Sequence, residues 1–134
     1  MPGYADLPDE VLRRVLSGML LTFYRSVHKG RERQRALFVV EGIPISHGSY
    51  ETNADVGIID RSSGKVVALY QVLTPGQGLA DFQAQLEILQ AYIETHAGPD
   101  YPVELGVAVP ESFGQEAVLR KIGGENLRIM TYPG

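Results

Sequence analysis

The stretch 54-ADVGIIDRSSGKVVALYQVLT-74 places two apolar segments on either side of a short polar break, and it decides the predicted fold. Its segments Ala54 to Asp60 and Lys65 to Thr74 are rich in β-branched residues, which favour strands. Between them, 61-RSSG-64 has the composition of a tight turn. The stretch therefore predicts a β-hairpin, and the segment Ala36 to Ser46 predicts a further strand before it.

Helical periodicity on both sides of this hairpin completes the predicted element order. Apolar residues recur every three or four positions in Leu7 to Tyr24 and in Leu79 to His96. A third helix is predicted within residues 111–124, between strands at 102–110 and 127–133. Three consecutive strands favour an antiparallel meander, whereas strands that follow helices favour parallel pairing. The sequence thus predicts an α/β fold in which helices flank both faces of a mixed sheet.

Length and composition are those of one ordinary domain, residues 1–134. The hydrophobic fraction of 44% and the charged fraction of 21% are typical of a soluble globular protein. The absence of cysteine excludes disulfides, zinc–thiolate sites and cysteine nucleophiles, and it favours a cytoplasmic location. No apolar run reaches the about 18 residues of a membrane span, and residues 1–10 lack signal-peptide features, so no membrane partner is expected.

Charge is unevenly distributed along the chain. Between positions 25 and 35, five basic residues accompany one acid, while the whole chain has a net charge of −4. The basic residues are Arg25, Lys29, Arg31, Arg33 and Arg35. Such a segment is often a solvated loop, but it also suits DNA or RNA phosphates, an acidic partner or a second copy of this chain. It contains no interleaved aromatic residues, so stacking on single strands is not predicted.

The element order αβββαβαβ and one motif resemble the PD-(D/E)XK nuclease superfamily, which has a three-layer restriction-endonuclease-like fold. The resemblance covers nearly the whole chain. It implies an aspartate on the second strand and an acid-x-lysine triplet on the third, with acids that bind magnesium and a lysine that helps to position or activate the attacking water. Asp55 stands at the first position, whereas Gln71 falls at the acid position and Leu73 at the lysine position.

These departures predict that nuclease activity is lost while the fold is retained. Magnesium prefers carboxylate and water oxygens, so one carboxylate and one amide offset its charge less well than two carboxylates. Asp55, Gln71 and Glu10 are the candidate ligands for magnesium or manganese, and Asp55 and Gln71 are the candidate catalytic residues. Leu73 cannot activate a water, and Lys65, six residues before Gln71 on one strand, is about 20 Å away.

The second predicted helix supplies two candidate pocket residues. Some superfamily members have a Gln-x-x-x-Tyr pair there, and Tyr92 fits the tyrosine position while Ile88 stands at the glutamine position. Gln85 lies seven residues before Tyr92 and therefore on the same helix face, two turns away. Gln85 and Tyr92 are therefore a displaced version of the pair at best.

Each candidate ligand also has a structural interpretation. Asp55 follows the polar residues 51–53 and can cap a turn or hydrogen-bond its own backbone. Gln71 can be a buried, hydrogen-bonded amide. Glu10, in the first turn of a helix, is explained by the helix dipole alone.

Three functions are consistent with these patterns. The first is a nuclease-like domain without activity that assists a larger system by binding nucleic acid through the basic segment. The second is a protein-interaction or oligomerisation module, such as a homodimer, because the apolar face of the first helix is wide. The third is a weak metal-dependent nuclease that uses Asp55, Gln71 and Glu10.

Overall fold

The computed structural model describes residues 4–29, 36–98 and 102–133. After a short 3-10 turn at Tyr4–Asp6, the elements follow the predicted order of helix, three strands, helix, strand, helix and strand. The helices are α1 (Asp9–Val27), α2 (Leu79–His96) and α3 (Glu116–Gly123). The strands are β1 (Leu37–His47), β2 (Tyr50–Asp60), β3 (Lys65–Val72), β4 (Glu104–Pro110) and β5 (Arg128–Tyr132). Within the described ranges, none of these helices has the length and hydrophobicity that crossing a membrane requires.

The five strands form one mixed sheet in the order β1-β2-β3-β4-β5. The first three strands are an antiparallel meander, whereas β4 is parallel to β3 and β5 is parallel to β4. Both predictions of strand direction are therefore confirmed. The connections explain the result, because short turns join the antiparallel strands and helices return the chain for the parallel ones.

One face of the sheet is covered by α1. Leu12, Leu16 and Leu20 are fully buried, and their spacing of four residues keeps them on one side of the helix. They belong to the same apolar cluster as Val56 and Ile58 of β2. This leucine row therefore holds α1 on the first face of the sheet.

The opposite face of the sheet is covered by α2 and α3. Phe82, Leu86 and Leu89 of α2 are fully buried in a second apolar cluster. In β3, Leu69 belongs to this second cluster and the next residue, Tyr70, belongs to the cluster beneath α1. The predicted α/β architecture, with helices on both faces of a mixed sheet, is confirmed.

Two local boundaries differ from the prediction. The first helix was predicted at Leu7 to Tyr24, whereas α1 runs from Asp9 to Val27. Residues 47–53 were expected to be a connection, but β2 already begins at Tyr50. The reason is a two-residue turn in which Gly48 has a φ of 62°, a left-handed value that glycine adopts readily and that suits the twist of a hairpin.

Candidate functional site

The predicted pair Asp55 and Gln71 meets where the ladder between β2 and β3 ends. Regular pairing at this end stops at Val56 and Tyr70. Beyond it, Asp55 Oδ2 accepts a hydrogen bond from the backbone N–H of Val72 at 2.8 Å, and the Asp55 N–H donates to Gln71 Oε1 at 3.0 Å. Two side chains thus replace the backbone acceptors of the ladder. Asp55 lies inside a strand, so its interpretation as a turn cap is wrong.

Both carboxylate oxygens of Asp55 are engaged. In addition to the Val72 contact, Nε of Arg13 on α1 lies 3.4 Å from Asp55 Oδ1. The Asp55 side chain is only 15% exposed, and burial raises its pKa above the ordinary value of 3.8. The hydrogen bond from Val72 and the charge of Arg13 lower that pKa but offset the effect of burial only in part. Asp55 is therefore a partly desolvated carboxylate with a guanidinium group already beside it.

Gln71 begins a chain of three amide side chains. It is fully buried, and its Nε2 donates to Gln85 Oε1 on α2 at 2.8 Å. Gln77 Nε2 donates to the same oxygen at 2.9 Å. The Asp55 N–H can only donate a hydrogen bond, so the Gln71 amide has to present its oxygen to Asp55. The Gln71 Nε2 group therefore faces Gln85 and donates to it. The interpretation of Gln71 as a buried, hydrogen-bonded amide is confirmed.

Two buried polar atoms near Asp55 and the three amides have no hydrogen-bond partner among the described residues. They are Gln77 Oε1 and Arg13 Nε. The contact of Arg13 with Asp55 is therefore an ion pair at 3.4 Å and not a well-aligned hydrogen bond. Buried polar atoms are usually paired, so the Asp55 end of the sheet is a polar and incompletely satisfied part of the core.

The donor set around Asp55 does not fit the magnesium site that the resemblance implies. Magnesium requires an octahedral shell of oxygen ligands, and carboxylates offset its charge. Here Val72 and Arg13 occupy the oxygens of Asp55, and a backbone N–H occupies the oxygen of Gln71. In the parts of the chain that the structure describes, no three His, Cys, Asp or Glu side chains are grouped so that they could hold a metal ion. Leu73, at the lysine position, is buried in the apolar cluster beneath α2.

The first turn of α1 carries two acids, and only Asp9 reaches the end of β3. Asp9 Oδ2 accepts a hydrogen bond from Thr74 Oγ1 at 3.0 Å. Beside it, the hydroxyl of Tyr132 donates to the backbone oxygen of Leu73, and burial together with the charge of Asp9 raises the pKa of Tyr132 to about 12. Glu10 is exposed, and no described contact joins it to the candidate ligand pair. No contact among the described residues thus supports the predicted role of Glu10 as a metal ligand.

Of the two candidate pocket residues on α2, only Gln85 is brought to this site. Tyr92 lies seven residues further along the helix, which is about 10 Å at 1.5 Å per residue. The ring of Tyr92 stacks on the ring of His96, with 4.2 Å between the centroids. Gln85 therefore contacts Gln71 directly, whereas Tyr92 belongs to the other end of α2.

The basic segment is described only at its beginning. Arg25 lies in the last turn of α1 and Lys29 follows the helix, and both side chains are exposed. The remaining predicted binding residues Arg31, Arg33 and Arg35 lie outside the described residues. The described part is thus consistent with a solvated or a ligand-binding surface.

A second polar cluster, which the sequence analysis missed, is centred on Glu104 at the start of β4. Glu104 Oε1 accepts a hydrogen bond from Arg128 Nε at 2.9 Å and lies 3.1 Å from His28 Nε2. Glu104 Oε2 accepts one from the hydroxyl of Tyr70 at 3.3 Å, and burial, followed by the charge of Glu104, raises the pKa of Tyr70. The signal in the sequence was Glu104 itself, the one charged residue of 102-PVELGVAVP-110. Its partners are distant in sequence and could not be identified there.

Comparison of the chain with protein-family models, curated proteins and solved structures gives no match. Its function is therefore inferred from its own residues and from the resemblance in element order and motif.

Proposed function

We propose that this chain is a restriction-endonuclease-like domain of the PD-(D/E)XK superfamily that has lost nuclease activity and binds nucleic acid as a cytoplasmic accessory protein. The element order and the mixed sheet support the fold assignment. The meeting of Asp55 with Gln71 at adjacent strands also supports it, because the resemblance places the two metal-binding acids there. The observation that carries the loss of activity is the engagement of these side-chain oxygens by groups of the chain itself.

A metal ion at Asp55 has to compete with bonds that the fold already makes. It has to displace Arg13, since two cations beside one carboxylate repel each other. It also has to draw the carboxylate away from the Val72 N–H, and a buried N–H left unpaired costs about 1–3 kcal/mol. Gln71 brings no negative charge to offset these costs. Metal binding at this position is therefore unfavourable.

The position of the catalytic lysine is also unsuited to the reaction. Leu73 is 8% exposed and packs among apolar side chains. A group that activates water has to lie within hydrogen-bond reach of it and to exchange a proton, which a leucine side chain cannot do. Hydrolysis of a phosphodiester at this end of the sheet thus lacks both a favourable metal site and a group that activates water.

Titration with manganese, followed by a cleavage assay, tests the loss of activity. Wild-type protein and the Asp55→Ala variant are compared by isothermal titration calorimetry and then incubated with DNA and RNA in magnesium or manganese. We expect no heat of binding that depends on Asp55, and no cleavage by either protein. Cleavage by the wild type that Asp55→Ala abolishes would overturn the proposal in favour of the weak metal-dependent nuclease.

Gel-shift titration tests the binding of nucleic acid. Arg25 and Lys29 place two exposed cations at the end of α1, and contacts between cations and phosphates release counterions. The affinity for DNA or RNA is therefore expected to fall steeply as the salt concentration rises. A protein without salt-sensitive affinity for single-stranded or duplex DNA or RNA would not have the proposed function.

A protein-interaction module is the second candidate, and the outer side of α1 favours it. Val11 and Val15 are 40% and 39% exposed, one helical turn apart, and thus form a small apolar surface that the sheet does not cover. The wide apolar face that the sequence predicts is therefore only partly buried. A strictly monomeric protein in solution would count against this candidate.

A further inference from the structure

We propose that single-stranded nucleic acid binds in a cleft at the C-terminal end of α1, far from Asp55; this inference rests on the proposed nucleic-acid function and names its binding surface. The cleft has a volume of about 920 Å³ and lies between the end of α1, the start of β4 and the loop 123–127 after α3. Ligand cavities commonly measure about 300–1,000 Å³. The cleft is therefore large enough for parts of a nucleic-acid strand.

The cleft and the Asp55 site are separated by most of the length of α1. Arg13 contacts Asp55, and fifteen residues later His28 contacts Glu104 at the cleft. At 1.5 Å per residue this separation is about 22 Å. A strand that binds in the cleft therefore lies away from the position where the resemblance places catalysis.

Apolar and aromatic side chains line the cleft. Phe23 of α1, Val67 of β3 and Ile129 of β5 are partly exposed there, whereas Tyr24 and Leu105, which also line it, are buried. Unpaired bases bind such surfaces through their flat faces, which are covered by neighbouring pairs in a duplex. The basic segment contains no aromatic residue of its own, but Phe23, which precedes it on α1, lines the cleft.

Of the two acids among the described lining residues, Glu104 does not oppose a phosphate strongly, because three groups already contact it. Arg128 and Tyr70 donate hydrogen bonds to it, and the His28 ring contacts it. The Arg128 side chain uses Nε for this bond and remains 45% exposed. Arg128 thus balances Glu104 and still lies at the surface of the cleft.

Two further cations lie close in sequence to residues that line the cleft. Arg25 and Lys29 are exposed and flank His28, which lines it. Among the described residues that line the cleft, Arg120 and Arg128 balance Glu104 and Glu125, and the neighbouring Arg25 and Lys29 add positive charge in a chain whose net charge is −4. The cleft is therefore locally positive, which favours phosphate groups.

The opposite end of α1 carries more negative charge. Asp9 and Glu10 occupy the first turn of the helix, Arg13 is paired with Asp55, and Arg14 is exposed. A phosphate backbone is attracted less to this end than to the cleft. The charge distribution along α1 thus favours the cleft as the binding surface.

Fluorescence anisotropy with two charge-reversal variants tests the location. The probes are a fluorescein-labelled single strand of about 20 thymidines, which exceeds the usual site size, and a duplex of equal length. Lys29→Glu reverses a charge beside the cleft, and Arg14→Glu is a matched control on α1, because Arg14 is also exposed and lies fifteen residues earlier. We expect Lys29→Glu to weaken binding of the single strand about tenfold and to reduce the salt slope by about 1, and Arg14→Glu to change the affinity less than about twofold.

Phe23→Leu tests the stacking surface separately. Leucine keeps an apolar contact with the core, which Phe23 partly joins, but it removes the aromatic face. We expect the variant to bind the thymidine strand several-fold more weakly than the wild type. Its thermal unfolding midpoint should lie within a few degrees of the wild-type value. Unchanged affinity of this folded variant would overturn the role of Phe23 in the cleft.

The outcomes separate this inference from the function on which it rests. If the wild-type protein binds neither probe, the nucleic-acid function itself fails. If it binds but Lys29→Glu and Arg14→Glu weaken binding equally, the function stands and the cleft is not the site. Tighter binding of the duplex than of the single strand would overturn the proposed class of ligand.

Discussion

Replacement of Gln71 by glutamate tests whether a second carboxylate beside Asp55 is enough to create a metal site. The two side chains have nearly the same shape. One glutamate oxygen can still accept the hydrogen bond from the Asp55 N–H, as Gln71 Oε1 does at 3.0 Å. The other oxygen replaces Nε2 and faces Gln85 Oε1, which lies 2.8 Å from that nitrogen. Two acceptors then face each other inside the protein.

The expected destabilisation follows from the contacts of Gln71. The hydrogen bond to Gln85 is lost, which costs about 1 kcal/mol, and a fully buried carboxylate without a new donor adds about 1–3 kcal/mol. We therefore expect Gln71→Glu to lower the free energy of unfolding by about 2–4 kcal/mol at neutral pH. At acidic pH the loss should shrink, because a protonated glutamic acid donates to Gln85 as the amide does.

Manganese should reverse this loss in the variant alone. Gln71→Glu sets a second carboxylate beside Asp55, and two carboxylates suit a hard divalent cation. A cation at about 100 times its dissociation constant stabilises the folded state by about 2.7 kcal/mol. The assay is urea unfolding in EDTA or in manganese, carried out on the wild type, on Gln71→Glu and on Gln71→Glu combined with Asp55→Ala.

Two results would refute the reasoning behind this experiment. If manganese stabilises the wild type as much as the variant, then Gln71 and Asp55 form a working metal site and the assignment as an inactive domain fails. If Gln71→Glu unfolds at the same urea concentration as the wild type in EDTA, the chain of amides does not contribute to stability. The double variant identifies Asp55 as the second ligand, since it should lose the response to manganese.

Three other perturbations have expected outcomes. Asp55→Asn should gain stability relative to the wild type as the pH rises from about 3.8. Burial raises the pKa of Asp55 in the folded state above that ordinary value, so ionisation of Asp55 destabilises the folded wild type. Urea unfolding of both proteins across this pH range checks the prediction, and a constant difference in stability would contradict it. Gly106→Ala should lower the free energy of unfolding by about 1–3 kcal/mol, because its Cβ would lie 2.3 Å from the Tyr70 ring. Gly98→Ala, whose Cβ would meet no atom of the described residues within 4 Å, should be nearly neutral in the same assay. If the protein-interaction candidate holds, Val15→Glu should lower the mass measured by light scattering, because Val15 is 39% exposed on α1.

The fold could largely be predicted from the sequence because its signals are local. The three–four spacing of α1 and the β-branched segments on either side of residues 61–64 each lie within a few turns or one hairpin. The beginning of β2 was missed because residues 51–53 are polar, and composition alone does not show that Gly48 closes a two-residue turn. Strand boundaries depend on turn geometry, whereas strand existence depends on composition.

The candidate site could be predicted only within the hairpin. Asp55 and Gln71 are partners because the turn between β2 and β3 sets their register, and the sequence contains that turn. Arg13 reaches Asp55 only through the packing of α1 on the sheet, and the pair is 42 residues apart in sequence. His28 and Glu104 are separated by 76 residues. Contacts of this kind follow from the assembled layers and leave no periodic pattern.

The contacts of Arg13 with Asp55 and of His28 with Glu104 also determine where α1 lies along the sheet. Its buried leucines repeat every four residues, so a slide by one turn, about 6 Å, would set each leucine near the place of the next. Apolar contacts alone therefore distinguish poorly between two alignments of the helix. The same slide would take Arg13 away from Asp55 and His28 away from Glu104, and both partly buried carboxylates would lose their contact with this helix. The polar contacts at the two ends of α1 thus favour one alignment of the helix on the sheet over the alignment shifted by one turn.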